Sequence, residues 1–191
     1  MTKPIRLAVI VGSARKGRFG PVVAAWFTDL VRQRDDFSVD VIDLATVNLP
    51  FDLDPTGIDS GDGPDNVAPR LDAADGFVIV TPEYNHSFPA PLKNFIDWHP
   101  TQWQAKPIAF VCYGGVSGGL RAVEQLRQVF ATLHAVTITE TISFHGGQQR
   151  FGPDGQPISL EEAEAAKRLL DRLAWWAVSL REAKEKRPFA A

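Results

Sequence analysis

The sequence predicts a doubly wound α/β domain on a five-stranded parallel sheet, with the strands in the order 2-1-3-4-5. Three kinds of segment predict it: short apolar runs without alternation, half-polar alternating stretches, and amphipathic helical stripes between them.

The first strand is the run from Leu7 to Val11, the third is Phe77 to Val80, and the fourth is Ile108 to Cys112. Unbroken apolar runs of this length suit strands buried on both faces of a parallel sheet. The second strand, Phe37 to Val41, alternates with Ser38 and Asp40, and the fifth carries Val136, Ile138, Ile142 and Phe144 among polar residues. Half-polar strands belong at sheet edges, which gives the order 2-1-3-4-5. Between the strands, Val23, Trp26, Phe27, Leu30 and Val31 fall on one helical stripe, with Pro21 in its first turn. A second stripe is Leu120, Val123, Leu126, Val129, Phe130 and Leu133. The last helix is expected to start at Ser159 with Glu162 completing a capping box, and to bury Ala166, Leu169, Leu170, Leu173, Trp176, Ala177 and Leu180. The Gly/Asp/Pro-rich stretch from Leu49 to Pro64 reads as a long loop within a single domain spanning residues 1–191.

The bulk composition narrows the function. With 191 residues, 45% apolar and 23% charged, the chain is long enough for one two-sided core. A formal charge of −3 argues against a nucleic-acid partner, and no basic block suggests a membrane surface. No apolar run has membrane-spanning length, the N-terminus lacks the form of a signal peptide, and the one cysteine, Cys112, can form no internal disulfide. The expected location is cytoplasmic, and no metal site is expected, since no Cys/His set has zinc spacing.

In the order 2-1-3-4-5 the topological switch falls between the first and third strands, where ligands bind beyond the carboxyl ends. That nominates Gly12 to Gly20 and Thr81 to Ala90. The first loop joins a strand to a helix start, where backbone N–H groups and the helix dipole favour a phosphate. Ser13, Arg15 and Arg18 add donors. The loop is neither G-x-G-x-x-G nor G-x-x-x-x-G-K-[ST], which counts against a dinucleotide Rossmann site and a Walker ATPase. The second loop, stiffened by Pro82, Pro89 and Pro91, offers Tyr84 and Asn85 to the wall and edge of a planar heteroaromatic ring.

Gly12-Ser13-x-Arg15, Pro82-Glu83-Tyr84-Asn85 and the glycine-rich Tyr113 to Gly119 together resemble the NADPH-dependent FMN reductase family, a flavodoxin-like family that includes chromate, quinone and azo reductases. The resemblance covers most of the chain. It implies that Ser13 and Arg15 hold the FMN phosphate, that Pro82, Glu83, Tyr84 and Asn85 line the flavin, and that Gly114, Gly115 and Ser117 pack near it. Arg18, Phe19 and Gly20 stand where the family often has a serine and an asparagine at the phosphate. Arg18 is then expected either to make a charged phosphate contact or to face the pyridine nucleotide. The implied activity is electron transfer from NADPH or NADH to a small-molecule acceptor by a ping-pong scheme, with no protein residue assigned as catalytic. Lys16 and Arg18 favour NADPH, since both can grip a ribose 2′-phosphate. Family members are commonly dimers or tetramers, and Trp175, outward-facing on the last helix, with Trp98 and Trp103, suggests an interface here.

Two other classes compete. A flavodoxin-type electron carrier is usually strongly acidic, which a charge of −3 and a basic first loop do not match. A serine hydrolase would use Gly115-Val116-Ser117-Gly118-Gly119 as a nucleophile elbow, with His134 or His145 as base and Glu124 or Glu140 as the orienting acid.

Overall fold

The structure is a computed structural model describing residues 3–52 and 67–190. Its elements follow in the order β1 (Ile5–Val11), α1 (Gly20–Arg32), β2 (Phe37–Asp43), α2 (Ala68–Ala73), β3 (Gly76–Pro82), α3 (Ala90–Asp97), β4 (Pro107–Gly114), α4 (Leu120–Thr132), β5 (Val136–His145), a 3₁₀ turn (Gly147–Arg150) and α5 (Glu161–Lys186). Every strand pair is parallel, and the five-stranded sheet has the order β2-β1-β3-β4-β5. The fold is the flavodoxin-like one the sequence implies, with half-exposed β2 and β5 at the edges.

Alternation along the central strands divides the core in two. Val9, Val11, Val78, Val80, Val111 and Tyr113 face α1 and α5. Ala8, Ile10, Phe77, Ile79, Phe110 and Cys112 face the other helices. Each large apolar side chain so buried contributes about 1.5–3 kcal/mol, so the central strands form a stiff platform. The direction in which strands are added to the sheet reverses at β1, which pairs with β2 on one side and β3 on the other, opening the crevice at the carboxyl ends. The β4–β5 register shifts between Ile108 and Phe110. Arg127 covers the irregularity by donating to the carbonyls of Ile138 and Thr139 and to the Thr141 hydroxyl.

Some expectations are corrected. The last helix begins at Glu161, with Leu160 at its cap position. The Ser159 hydroxyl accepts the Glu161 N–H, but Glu162 turns to Arg150 at 2.9 Å, so the reciprocal arm of a capping box is not made. Trp98 and Trp103 are core residues and present no interface. Trp103 is fully buried among Phe77, Phe95 and Phe130, and the Trp98 indole donates to the Pro50 carbonyl. Trp175 is 62% exposed, as expected. Near the C-terminus, Phe189 lies against His134. Most of the loop expected from Leu49 to Pro64 lies outside the described residues. Among the described residues no helix is long and apolar enough to cross a membrane.

Candidate functional site

The first loop leaves β1 with the Gly12 N–H on the Val80 carbonyl. A Cβ there would lie 3.1 Å from Leu92 and 3.3 Å from that carbonyl, so glycine is what lets the loop pass. Among the described residues, the N–H groups of Ser13, Ala14, Arg15, Lys16 and Gly17 meet no carbonyl. A run of unpaired donors just ahead of a helix N-terminus is a cradle for an anion. The Ser13 side chain is fully buried, its hydroxyl 3.4 Å from that of Tyr113. Gly20 makes room for this pair, since a Cβ would come within 2.7 Å of the Ser13 hydroxyl. Phe19 closes the back of the loop, edge-on to Phe151 at 4.9 Å and Tyr113 at 5.8 Å. Its ring is partly buried against the core on the α1 and α5 side of the sheet.

Arg18 is held by its own chain. Its guanidinium forks onto the Asp43 carboxylate at 2.5 and 2.6 Å and also donates to the Ser13 carbonyl at 2.6 Å. Donating to the Asp43 carboxylate raises the Arg18 pKa against the opposing effect of burial. For Asp43 burial pushes the carboxyl up, but Arg18 and the Ala45 N–H outweigh it and hold the carboxyl below its ordinary value. The pair ties the loop to the end of β2.

The second loop is a miniature hairpin. Tyr84 and Ser87 exchange backbone hydrogen bonds at 2.8 and 3.0 Å across Asn85 (φ 50°) and His86 (φ 72°). Positive φ at both central residues makes a type I′ turn; asparagine tolerates that region, histidine less so. Gln125 on α4 fixes the tip, donating to the His86 carbonyl and accepting from the Ser87 hydroxyl. Pro82 ends β3 buried, and Asn85 and His86 are exposed. The Arg15 guanidinium sits 5.5 Å above the Tyr84 ring, bringing the first two loops together.

The third loop, after β4, is pinned at almost every residue. Gly115 accepts from the Gly146 N–H, His145 bonds the Val116 carbonyl, and the Ser143 hydroxyl donates to the Gly118 carbonyl. Gly118 (φ 61°) and Gly119 (φ 94°) take left-handed conformations with no space for a Cβ. A Cβ on Gly114 would lie 3.1 Å from the Gly119 nitrogen and 3.4 Å from the Glu83 Cβ, whereas one on Gly115 would meet nothing within 4 Å. Ser117 donates its hydroxyl to Glu83, which also accepts from Arg121.

These contacts dismantle the hydrolase reading. Ser117 is on a carboxylate and His145 on a carbonyl. His134 lies against the tail, and Glu124 and Glu140 pair with Arg127 and Arg172. Among the described residues no group of His, Cys, Asp or Glu could hold a metal ion.

The residues present suit FMN: unpaired N–H groups for a phosphate, an aromatic wall at Tyr84, and a side-chain-free edge at Gly115. Sequence reasoning missed Asp43, Gln125 and Arg121, and passed over Tyr113, whose phenol burial pushes up to about 12 and so keeps protonated. Asp43 ends β2 beside the end of β1, a placement that only the register reveals.

Fold and loops together define a flavodoxin-like flavoprotein. The family profile of the NADPH-dependent FMN reductases matches residues 5–149, and the chain belongs to that family. It is 32% identical over 197 residues to a probable NADPH:quinone oxidoreductase of Oryza sativa subsp. japonica, spanning 93% of this chain and 91% of that one. It is 34% identical over 161 residues to a quinone reductase of Escherichia coli, spanning 77% and 80%. Against an NAD(P)H-dependent FMN reductase of Schizosaccharomyces pombe it is 35% identical over 130 residues, but the match spans only 64% of that protein. Among solved structures, the flavoenzyme NAD(P)H:(acceptor) oxidoreductase of Paracoccus denitrificans superposes with a TM-score of 0.73 at 24% identity, covering 92% of this chain and 98% of that one.

Proposed function

We propose that the protein holds FMN where the loops after β1, β3 and β4 converge and moves electrons from NADPH or NADH to a small acceptor of the quinone class. The observation that carries this is the cradle of unpaired N–H groups at residues 13–17, joined through Arg15 and Tyr84 to the second loop. The names of the relatives support the acceptor class.

FMN, when bound, supplies the hydride-accepting and electron-storing chemistry. The chain's own residues bind and orient. The amides of residues 13–17 and the Ser13 hydroxyl would hold the phosphate, and Tyr84 and Asn85 would border the ring. Asn85, His86, Gly115 and Val116 are exposed, giving nucleotide and acceptor one shared rim. Taking turns at one rim predicts parallel lines in initial-rate plots; intersecting lines that survive product-inhibition controls reject the scheme. Lys16 is exposed and makes no ion pair among the described residues, so it is the loop cation suited to a ribose 2′-phosphate. Lys16→Ala should raise KM for NADPH while leaving KM for NADH unchanged.

The central test is an absorbance titration with FMN, followed by NADPH without oxygen. A flavin band that appears on the protein and bleaches on NADPH is expected; a protein that binds no FMN ends the reading. Steady NADPH oxidation by the isolated protein would also exclude a pure electron carrier. Self-association is part of the proposal, supported by the exposed Trp175, and light scattering showing a monomer at working concentration would remove it. Reduced pyridine nucleotides are held inside cells, so this reading places the protein in the cytoplasm.

A further inference from the structure

The Glu83 carboxylate reaches across from the second loop to the start of a helix that lacks a cap of its own. The residue before α4 is Gly119, which has no side chain to offer, and the first turn of α4 holds no acidic residue. Four N–H groups at a helix start need acceptors, and an anion is favoured there. Glu83 provides both from 38 positions upstream. One carboxylate oxygen accepts from the Arg121 N–H at 3.2 Å and from the Ser117 hydroxyl, and the other accepts from the Arg121 guanidinium at 3.3 Å. The Glu83 side chain is only 9% exposed, so it depends on these donors. Its root is fixed as well, since its N–H donates to the Tyr113 carbonyl at 3.1 Å.

We infer that Glu83 is a positioning residue, which caps α4 from another loop and locks the second and third loops into one body before a cofactor arrives. Arg121 and Gln125 lie four residues apart and so share a face of α4. Arg121 holds Glu83 at the base of the second loop, while Gln125 holds His86 and Ser87 at its tip. Two attachments prevent the second loop from swinging about either one. The Ser117 hydroxyl has one proton, and it goes to Glu83, so Ser117 shapes the third loop and has no hydroxyl donor left for a ligand. Flavin contacts from that loop then fall to its backbone, which the open space at Gly115 allows.

This inference rests on the FMN reading for its functional consequence, but the tether itself can be read without cofactor. The experiment compares Glu83→Gln, Ser117→Ala and the double variant with the wild type. In the apoprotein, amide hydrogen exchange over residues 115–123 should speed up at least tenfold in Glu83→Gln, with smaller changes in α1. Losing one charge-assisted hydrogen bond corresponds to about that factor. Glu83→Gln should weaken FMN and riboflavin binding equally, by about tenfold, because the phosphate loop is untouched. The bound flavin should lose the resolved shoulder of its visible band as water reaches the ring. The double variant should bind FMN no worse than Glu83→Gln, since both substitutions break one network.

Unchanged exchange at 115–123 would overturn the inference. So would a loss confined to FMN with riboflavin unaffected, or strictly additive effects of the two substitutions. If Glu83→Gln does not fold, Ser117→Ala alone must still speed exchange at Arg121 several-fold, and failure to do so rejects the tether. If the wild type binds no FMN, the earlier reading fails, and the exchange data still decide the tether.

Discussion

Replacing Arg18 with alanine should separate a side chain that touches phosphate from one that braces the loop that does. The guanidinium makes two hydrogen bonds to Asp43 and one to the Ser13 carbonyl, all 2.5–2.6 Å long. Charge-assisted bonds in a buried site are worth about 1.5–3 kcal/mol each. The side chains here are 17% and 28% exposed, so solvent screening reduces the total, and we expect a loss of about 2 kcal/mol from loop order. If loop order is what prepares the N–H groups for phosphate, FMN dissociation should rise about 30-fold in Arg18→Ala. Quenching of flavin fluorescence, with riboflavin titrated in parallel, would read this, and riboflavin should change little. Asp43→Asn is the decisive partner. A brace loses strength when its acceptor loses charge, so FMN should bind about fivefold more weakly, and adding Arg18→Ala should cost no more than Arg18→Ala alone. A direct phosphate contact held back by Asp43 makes the opposite prediction, because neutralising Asp43 would release Arg18. An Asp43→Asn protein that binds FMN more tightly than the wild type would refute the bracing role.

Other outcomes follow from single contacts. Gly118→Ala would force a side chain onto φ 61° and into Ser143, 2.7 Å from the His145 ring, and should lower Tm by about 10 °C, for a cost of about 3 kcal/mol, in a thermal melt. Burial pushes the Lys106 ammonium down to about 8, where it donates to the carbonyls of Leu71 and Asp72. Its folded value lies below the ordinary 10.5, so the unfolded chain binds more protons above pH 8 and stability should rise with pH from there. Denaturant melts of Lys106→Met should lose about 2 kcal/mol of that rise. The Asp43 carboxyl is held low, so its stabilisation is present above the unfolded carboxylate range and is lost as pH falls through the folded value; Asp43→Asn should blunt acid unfolding followed by circular dichroism. A fluorophosphonate probe should leave Ser117 unlabelled, since its hydroxyl meets Glu83 and no histidine.

The fold was legible because its signals are local. Apolar runs such as Phe77 to Val80 suit strands covered on both faces, and the half-polar Phe37 to Val41 suits an edge, and both lie so. The position proposed for the site was read from strand order alone. Partners far apart in sequence were not legible: Glu83 meets Arg121 across 38 residues, Arg18 meets Asp43 across 25, and Ser13 meets Tyr113 across 100. A charged residue in a loop carries no mark of whether it faces a ligand or its own chain. The tryptophans show the same limit, since Trp103 fills the core while Trp175 is exposed, and in both cases tertiary packing decides.

A common logic links these misreadings. Among the polar side chains in and around the loops, Arg18, Glu83, Ser117, Ser143 and Gln125 are all spent on shaping backbone. Among the described residues, backbone groups stay available, the N–H groups of residues 13–17 and the open edge at Gly115. A site built this way recognises a ligand through fixed amide geometry, which involves little side-chain reorganisation when the ligand binds. It also explains why glycines at 12, 20, 118 and 119 matter as much as the charges, since each admits a close approach that a Cβ would block. Keeping the charge of a bracing side chain should therefore not be enough, and a substitution that keeps charge but changes how the loop is held should not be tolerated. Arg18→Lys tests that statement directly: it preserves the charge but loses the fork on Asp43, so its FMN affinity should lie closer to that of Arg18→Ala than to the wild type.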